Sequence, residues 1–279
     1  MKNILKLLRI KHYIKNLLVF IPLFFAGKFL YYELFGKTII GFICFCLISS
    51  VVYIINDIQD RERDRNHPTK KQRPIASGRI SVKQGIYILA VCLVVVCVLQ
   101  VFLLDMKSAF FLVVYLILNV AYSMGLKNKP IVDIVILASG FVIRILYGGM
   151  ITGISISKWL YLVVVSGALF MGLGKRRNEL KQQKNTREVL KYYTESFLDK
   201  NMYVCFALII MFYAMWTLEA KNTGMIWTVP VSIIILMKYS MDIEGESDGD
   251  PVNVLLQDKI LMGLAILYAI CIACMIYVV

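Results

Sequence analysis

Long apolar runs, separated by shorter polar segments, organise the chain from end to end. Runs such as 85–104 and 261–279 approach the roughly 20 residues that an α-helix needs to cross a hydrocarbon core about 30 Å thick. They lack the alternation of polar and apolar positions that strands of a membrane β-barrel show. The pattern therefore predicts an all-α, polytopic membrane protein with nine helices. We place these helices at about 15–32, 39–58, 84–104, 108–125, 131–150, 158–174, 201–219, 225–241 and 258–278.

The first of these helices is the least regular, because Pro22 interrupts it. Several basic residues precede this segment and give it a loose likeness to a secretory leader. However, no small-residue cleavage site ends the apolar run, and further apolar segments follow it. We therefore expect a first membrane helix rather than a cleaved leader, and a single domain over 1–279.

Composition and charge add an orientation to this picture. The 279 residues are 59% hydrophobic, with a mean hydropathy of +0.72, which is well above the range of soluble domains. With a cytosolic N-terminus, 25 of the 31 Lys and Arg residues fall on the cytosolic side, as the positive-inside rule requires. The net charge of +13 then reflects topology, and no nucleic-acid motif accompanies it. We predict a multi-pass protein of the cell (inner or plasma) membrane that does not bind nucleic acid.

The two longest polar segments, 61–83 and 175–200, both lie on the cytosolic side in this topology. Functional residues concentrate on such connections, so the sequence predicts a cytosolic active site in a polar cavity among the helices.

Acidic residues cluster at the cytosolic end of the second predicted helix. If that helix continues, Asp57, Asp60 and Asp64 lie at positions i, i+3 and i+7, and Asn56 joins them at i, i+4 and i+8. Three carboxylates on one stripe repel each other unless a cation lies among them. Hard oxygen ligands suit Mg²⁺, which bridges to substrate phosphates. The alternative is a solvated helix end whose acids pair with the neighbouring arginines.

Basic residues follow this acidic cluster, in a segment with two prolines and a glycine that predict a structured turn. Lys71, Arg73 and Arg79 could bind phosphate there, with Arg suited to bidentate contact. Their charge also fits topology alone, so both interpretations stay open.

Further candidates lie elsewhere along the chain. Arg144 falls about 21 Å along the fifth predicted helix, where an arginine is costly unless it faces a polar cavity or a partner. Asp133 near the start of that helix could be a ligand or only an acidic residue at a helix N-terminus. The remaining candidates for binding substrate are Lys15, Asn16, Tyr122, Lys127, Lys175 and Arg176.

The acidic and basic motifs together resemble those of the UbiA superfamily of intramembrane prenyltransferases. The resemblance covers the whole chain and is carried by Asn56-Asp57-x-x-Asp60-x-x-x-Asp64 followed by Arg73-Pro74-Ile75-Ala76-Ser77-Gly78. It implies a fold of about nine membrane helices around a polar cavity. It also implies a Mg²⁺ cofactor, with Asn56, Asp57, Asp60 and Asp64 as metal ligands.

One branch of that superfamily, the decaprenyl-phosphate phosphoribosyltransferases, is the most similar. The likeness rests on His67-Pro68-Thr69-Lys70, on Tyr122-Ser123 with Leu126-Lys127, and on Lys175-Arg176-Arg177 with Glu179. It implies transfer of 5-phosphoribose from phosphoribosyl diphosphate to a polyprenyl phosphate, with release of diphosphate. In that reading Asp57, Asp60, Asp64, Lys127 and Arg144 are catalytic, and membrane lipid surrounds the enzyme.

Two alternatives remain at this point. A prenyltransferase that moves a polyprenyl group from its diphosphate to an aromatic or other acceptor would use the same acidic motif. A lipid or small-molecule transporter would also place Arg144 within the membrane, although the segment 56–79 has no repeat in the second half of the chain. Assembly into a homo-oligomer is compatible with the sequence, which does not decide it.

Overall fold

A computed structural model of the protein describes residues 2–182, 187–245 and 249–278. Within these ranges every regular element is a helix. The α-helices are α1 Lys2–Leu8, α2 Ile21–Phe25, α3 Tyr32–Gln59, α4 Arg61–Arg65, α5 Val82–Leu103, α6 Met106–Ser123, α7 Val132–Thr152, α8 Lys158–Lys181, α9 Glu195–Glu219, α10 Thr228–Glu244, α11 Pro251–Gln257 and α12 Lys259–Tyr277. The 3₁₀ helices are Ile10–Phe20, Lys70–Gln72, Leu126–Asn128, Glu188–Tyr192 and Thr223–Trp227.

Eight helices in the described part of the chain are long and apolar enough to cross a membrane. They are α3, α5, α6, α7, α8, α9, the segment Thr223–Glu244 that contains α10, and α12. Each corresponds to one of the helices predicted from hydropathy, which confirms an all-α, multi-pass architecture. The predicted count of nine is not reproduced, because the first predicted helix, 15–32, is not one continuous α-helix.

The first predicted helix is instead a 3₁₀ helix, Ile10–Phe20, followed by the single turn of α2. Pro22 lies in the first turn of α2, where its missing N–H costs nothing. This N-terminal segment, which we define as residues 9–25, runs antiparallel along α3: Tyr13 contacts Ser50, and Phe20 contacts Phe42. The break at the proline was visible in the sequence, but the 3₁₀ geometry was not.

The chain forms two compact units, the first of which comprises Met1–Met124 and Ile143–Ser155. Its main core packs α3 against α5, α6 and the second part of α7, through residues such as Phe45, Tyr115 and Tyr147. Gly148 of α7 is essential to this packing, because a Cβ there would lie 2.1 Å from the carbonyl oxygen of Val19. The N-terminal segment therefore approaches α7 backbone to backbone.

A smaller core in the same unit holds the acidic and basic motifs next to each other. Leu7 of α1, Ile54 of α3, and Ile75 and Ile80 of the turn before α5 are all buried together. α5 then begins at a capping box, in which Ser81 and Gln84 each bond the other's backbone N–H. The turn that carries Arg73 is thus anchored at both ends.

The second unit comprises Gly125–Val142 and Ile156–Val279. Its core packs α8 and α9 around Phe170, Leu198 and Met202, with Ile243 and Leu261 from the later helices. Division by compactness does not separate independently folding parts, so a single domain over 1–279 stays a prediction.

Candidate functional site

The acidic motif lies where α3 ends and the short helix α4 begins. α3 ends at Gln59, Asp60 takes a non-helical conformation (φ −87°, ψ 6°), and the short helix α4 begins at Arg61. The continuous helix that would align all three carboxylates on one stripe is therefore wrong. Asp60 pairs with Arg63 at 3.2 Å, whereas Asp57 and Asp64 are brought to a common partner.

Arg73 is that common partner. Its Nη1 donates to Asp64 Oδ2 at 2.6 Å and to Asp57 Oδ1 at 3.2 Å. Both carboxylates are buried, with 2% of each side chain exposed, and Arg73 retains 26% exposure. Residues that the sequence assigned to a metal site and to a phosphate site therefore meet in one cluster.

Arg9 completes this cluster, although it is not among the site residues predicted from the sequence. Its Nη2 donates to the same Asp57 Oδ1 at 2.6 Å, and its guanidinium carbon lies 4.5 Å from the centre of the Tyr53 ring. Arg9 is one of two non-glycine residues with a positive φ in the described ranges (φ 53°, ψ 49°). This left-handed residue joins α1 to the 3₁₀ helix. Its position therefore depends on a backbone conformation that no sequence motif predicts.

We call Arg9, Asp57, Asp64 and Arg73 the diphosphate cluster, after the ligand that the sequence predicts for the acidic and basic motifs. The described residues contain no group of three or more His, Cys, Asp or Glu side chains arranged to hold a metal ion. The two buried carboxylates nevertheless supply hard oxygen donors on either side of one guanidinium nitrogen, and Asn56 precedes Asp57 on α3. This donor chemistry fits Mg²⁺, which needs only one or two protein carboxylates when phosphates and water complete its shell.

The turn between α4 and α5 fixes Arg73. Ile75 and Ala76 are buried, Ile80 N–H donates to the Pro74 carbonyl at 3.0 Å, and Gly78 adopts φ 74°, which favours glycine. Upstream, the His67 Nδ1 accepts from the backbone N–H groups of Thr69 and Lys70. The turn is a structured element, as its prolines and glycine predicted. Lys71 and Arg79, also proposed as phosphate ligands, are exposed on it.

Asn56 is held by α6, because the Ser123 hydroxyl lies within hydrogen-bonding distance of its side-chain oxygen and of the Asn119 carbonyl, and its single proton can be donated to either. Tyr122 precedes this serine and is half-buried. The predicted metal ligand Asn56 is thus oriented from a second helix, which the sequence alone did not indicate.

Arg144 is buried within the first unit and lies in an aromatic and amide environment. Its Nε donates to Asn16 Oδ1 at 2.8 Å and its Nη2 to the Tyr115 hydroxyl at 3.3 Å. The guanidinium lies over the rings of Phe45 and Tyr115, at 4.8 and 5.1 Å. Arg144 therefore ties α7 to the N-terminal segment, while its predicted role in catalysis or substrate binding stays a prediction. Lys15, next to Asn16, is half-buried.

In the second unit, Asp133 and Arg176 form a separate buried cluster. Arg176 Nε donates to Asp133 Oδ2 at 2.5 Å, Arg176 Nη1 donates to Glu179 at 2.6 Å, and both Asp133 and Arg176 are fully buried. Tyr193 donates to Asp133 Oδ1 at 2.6 Å and accepts from the Ile131 N–H. Burial, and then the bond to Asp133, raises the pKa of Tyr193, so this hydroxyl stays protonated. We call these residues the brace cluster.

The other candidates in this unit are less enclosed. Lys127 is half-buried in the 3₁₀ helix Leu126–Asn128, and Lys175 lies 3.9 Å from Asp250. Asp133 and Arg176 were predicted to bind substrate. The structure pairs them with each other, 43 residues apart in sequence, and a role in binding substrate stays a prediction.

Comparisons with known proteins identify the family to which the chain belongs. Residues 18–256 match the UbiA prenyltransferase family. The chain is 34% identical to decaprenyl-phosphate phosphoribosyltransferase of Mycobacterium tuberculosis, covering 95% of this chain and 91% of that protein. It is 34% identical to the protein of the same name from Corynebacterium glutamicum, with coverage of 99% and 87%. Among solved structures, a UbiA homologue from Archaeoglobus fulgidus bound to GPP and Mg²⁺ superposes with a TM-score of 0.70 at 20% identity, covering 97% of this chain and 99% of that one.

Proposed function

Because this chain belongs to the UbiA prenyltransferase family, we propose that it transfers 5-phosphoribose from phosphoribosyl diphosphate to a polyprenyl phosphate and releases diphosphate. The observation that carries the proposal is its likeness to decaprenyl-phosphate phosphoribosyltransferases over nearly their full length. The diphosphate cluster supports it, since buried carboxylates flanked by two arginines suit a leaving diphosphate.

The reaction exchanges one C–O bond for another. The bond between ribose C1 and the diphosphate oxygen breaks, and the diphosphate leaves with the electron pair. Positive charge develops at C1, as in the oxocarbenium-like transition state of glycoside chemistry. An oxygen of the lipid phosphate then forms the new bond to C1. Because that phosphate is already ionised near neutral pH, no dedicated general base is needed.

Asp57 and Asp64 would hold Mg²⁺, with Asn56 and Asp60 assisting from the ends of α3 and α4. When bound, Mg²⁺ neutralises charge that develops on the diphosphate as it leaves. The chain's own contribution is positional: Arg9 and Arg73 present guanidinium groups to phosphate oxygens, and the capped turn before α5 keeps Arg73 beside Asp64. Preorganised donors of this kind stabilise charge without rearranging during the reaction.

The remaining basic residues have narrower proposed roles. Lys71 and Arg79, which are exposed on the same turn, would attract the anionic substrates to the cytosolic face. Lys127 and Lys175 are proposed as phosphate ligands of the second unit. Arg144 and Arg176 are proposed to act on structure, because their guanidinium groups are buried against Asn16 and Asp133 respectively. The active site would face the cytosol of a cell membrane, as the distribution of basic residues predicts.

The test uses the full chain in detergent with Mg²⁺, phosphoribosyl diphosphate labelled in the ribose, and a polyprenyl phosphate. We expect label to move into the organic phase, and chelation of the metal to stop the transfer. Asp64→Asn should abolish it, whereas Glu62→Gln, which removes an exposed acid two residues away, should leave it unchanged.

Transfer from a polyprenyl diphosphate to an aromatic acceptor, with no phosphoribosyl transfer, would replace the proposal with an ordinary prenyltransferase. Lipid transport that survives Asp64→Asn, with neither transfer detected, would replace it with a transporter.

A further inference from the structure

The four side chains of the diphosphate cluster have no net formal charge. Two carboxylates, Asp57 and Asp64, meet two guanidinium groups, Arg9 and Arg73, and the formal charges cancel. Asp57 Oδ1 accepts from both arginines, and Arg73 Nη1 reaches both carboxylates. The positive charge that two buried acids require is therefore supplied by the protein itself.

The two signs of charge differ in their access to solvent. The carboxylates are 2% exposed, whereas the side chains of Arg9 and Arg73 are 21% and 26% exposed. Each arginine makes its carboxylate contacts through a single nitrogen, although a guanidinium carries five N–H donors. The arginines can therefore reach a ligand that arrives from solvent while the acids remain in place.

A divalent cation placed at these carboxylates would meet two guanidinium groups already bound there. Like charges at such distances repel, so the cation alone is bound poorly. A diphosphate changes the balance, because its oxygens accept from both arginines and also complete the shell of the cation. When the cation takes the carboxylates of Asp57 and Asp64, the phosphate oxygens replace them as the negatively charged partners of the arginines.

Resting on the proposed function, we infer that Arg9 and Arg73 are exchangeable counter-ions that couple cation binding to diphosphate binding. Without ligand they neutralise Asp57 and Asp64, and with the cation and diphosphate bound they transfer to phosphate oxygens. Arg73 has the larger share, since it contacts both carboxylates and Arg9 contacts one. Tyr53 keeps Arg9 nearby during the exchange, because its ring contact does not depend on Asp57.

The test measures binding of Mn²⁺, as a spin-active probe, to the full chain in detergent by electron paramagnetic resonance. Titrations are compared at equal free Mn²⁺, with and without inorganic diphosphate. We expect diphosphate to tighten Mn²⁺ binding about tenfold or more in the unchanged protein. An enhancement under about twofold would overturn the inference.

Three variants locate the coupling. Arg73→Gln should bind Mn²⁺ alone more tightly than the unchanged protein, by about fivefold, and should lose most of the enhancement by diphosphate. Arg9→Gln should also raise the affinity for Mn²⁺ alone and lower the enhancement by diphosphate, but by less than Arg73→Gln. Lys83→Gln removes an exposed charge at the start of α5, without contact to the acids, and should change neither. An enhancement in Arg73→Gln and Arg9→Gln equal to that of the unchanged protein contradicts the inference.

Asp57→Asn/Asp64→Asn provides the site control, since Mn²⁺ bound equally by this variant lies elsewhere and overturns the assignment. Monodisperse elution in detergent is required of each variant, and the comparison in the unchanged protein needs no substitution at all. These titrations involve no ribose and no lipid. A protein that couples Mn²⁺ to diphosphate but transfers no phosphoribose would disprove the proposed function and leave the exchange standing.

Discussion

The diphosphate cluster and the brace cluster are built from the same parts. Each joins carboxylates to arginine, and each involves a non-glycine residue in the left-handed region. In the first unit this residue is Arg9, itself a member of the cluster, and in the second it is Ile131, whose N–H bonds Tyr193. A left-handed conformation costs about 1–2 kcal/mol in a residue with a Cβ. In both places the cost is offset by a polar contact made close to that residue.

The clusters differ in what the arginine can reach. Arg176 is fully buried and bonds Asp133 and Glu179, while Tyr193 holds the other oxygen of Asp133. In the diphosphate cluster the acids are buried but the arginines are partly exposed. A buried carboxylate is therefore not itself the sign of a binding site. Access of the arginines to solvent is the feature that separates the cluster for which we infer an exchange of partners from the brace cluster.

The largest expected effect is on catalysis and should be confined to the diphosphate cluster. Asp57→Asn should lower phosphoribosyl transfer by about 10³-fold or more, because the leaving diphosphate loses charge stabilisation. Thermal unfolding in detergent should change little, since Arg9 and Arg73 can still be solvated. Transfer rates and melting curves of the same preparation check this. A large fall in melting temperature would mean that Asp57 is a structural residue like Asp133.

The next effect is on stability and should be confined to the brace cluster. Asp133→Asn leaves the Arg176 charge buried without its main partner, which should cost about 3–5 kcal/mol in the free energy of unfolding. Asp133→Leu combined with Arg176→Met should recover much of that loss, because a buried ion pair is often replaceable by apolar packing. Denaturant unfolding in detergent measures both. A double variant less stable than Asp133→Asn would argue for a ligand-binding role of the pair.

Arg144 offers an intermediate case, since it is buried like Arg176 but holds its place with Asn16 and aromatic rings. Arg144→Gln should destabilise the first unit by about 1–3 kcal/mol through loss of the charged hydrogen bond and the ring contacts. Limited proteolysis should show faster cleavage within the N-terminal segment. Arg144→Lys keeps the charge but not the planar guanidinium group, so its stability and its rate of proteolysis should lie between those of the unchanged protein and of Arg144→Gln. Unchanged proteolysis together with lost transfer would return Arg144 to the catalytic residues.

The smallest effect concerns the left-handed residues themselves. Ile131 is 58% exposed, so Ile131→Gly removes little packing and relieves its backbone, and we expect a gain of about 1 kcal/mol. Arg9→Gly should relieve the same strain but also remove the guanidinium, so it should lower binding of diphosphate. Melting temperature and Mn²⁺ titration separate the two effects. A loss of stability in Ile131→Gly would show that the isoleucine side chain, and not its N–H, holds the turn.

The sequence predicted the long helices well because run length and hydropathy decide them almost alone. α5, for example, spans Val82–Leu103 against a predicted 84–104. It also selected Asp57, Asp64 and Arg73, whose spacing reflects a local arrangement of helix end and turn. Arg9 and the pairing of Asp133 with Arg176 were not predictable in this way. Arg9 lies 48 residues from Asp57, and the brace cluster joins residues 43 apart, so tertiary packing decides both.

The 3₁₀ geometry of the N-terminal segment decides which of its residues lie on the same face. With three residues per turn, Asn16 and Val19 fall in one buried column, while Lys11, Ile14 and Leu17 form an exposed one. One residue inserted ahead of Asn16 would rotate it by about 120° relative to Arg9, and Arg144 would face a different side chain. Three inserted residues would restore the column at a shifted height. The segment is therefore far less tolerant of a change in length than of a change in side chain on its exposed face.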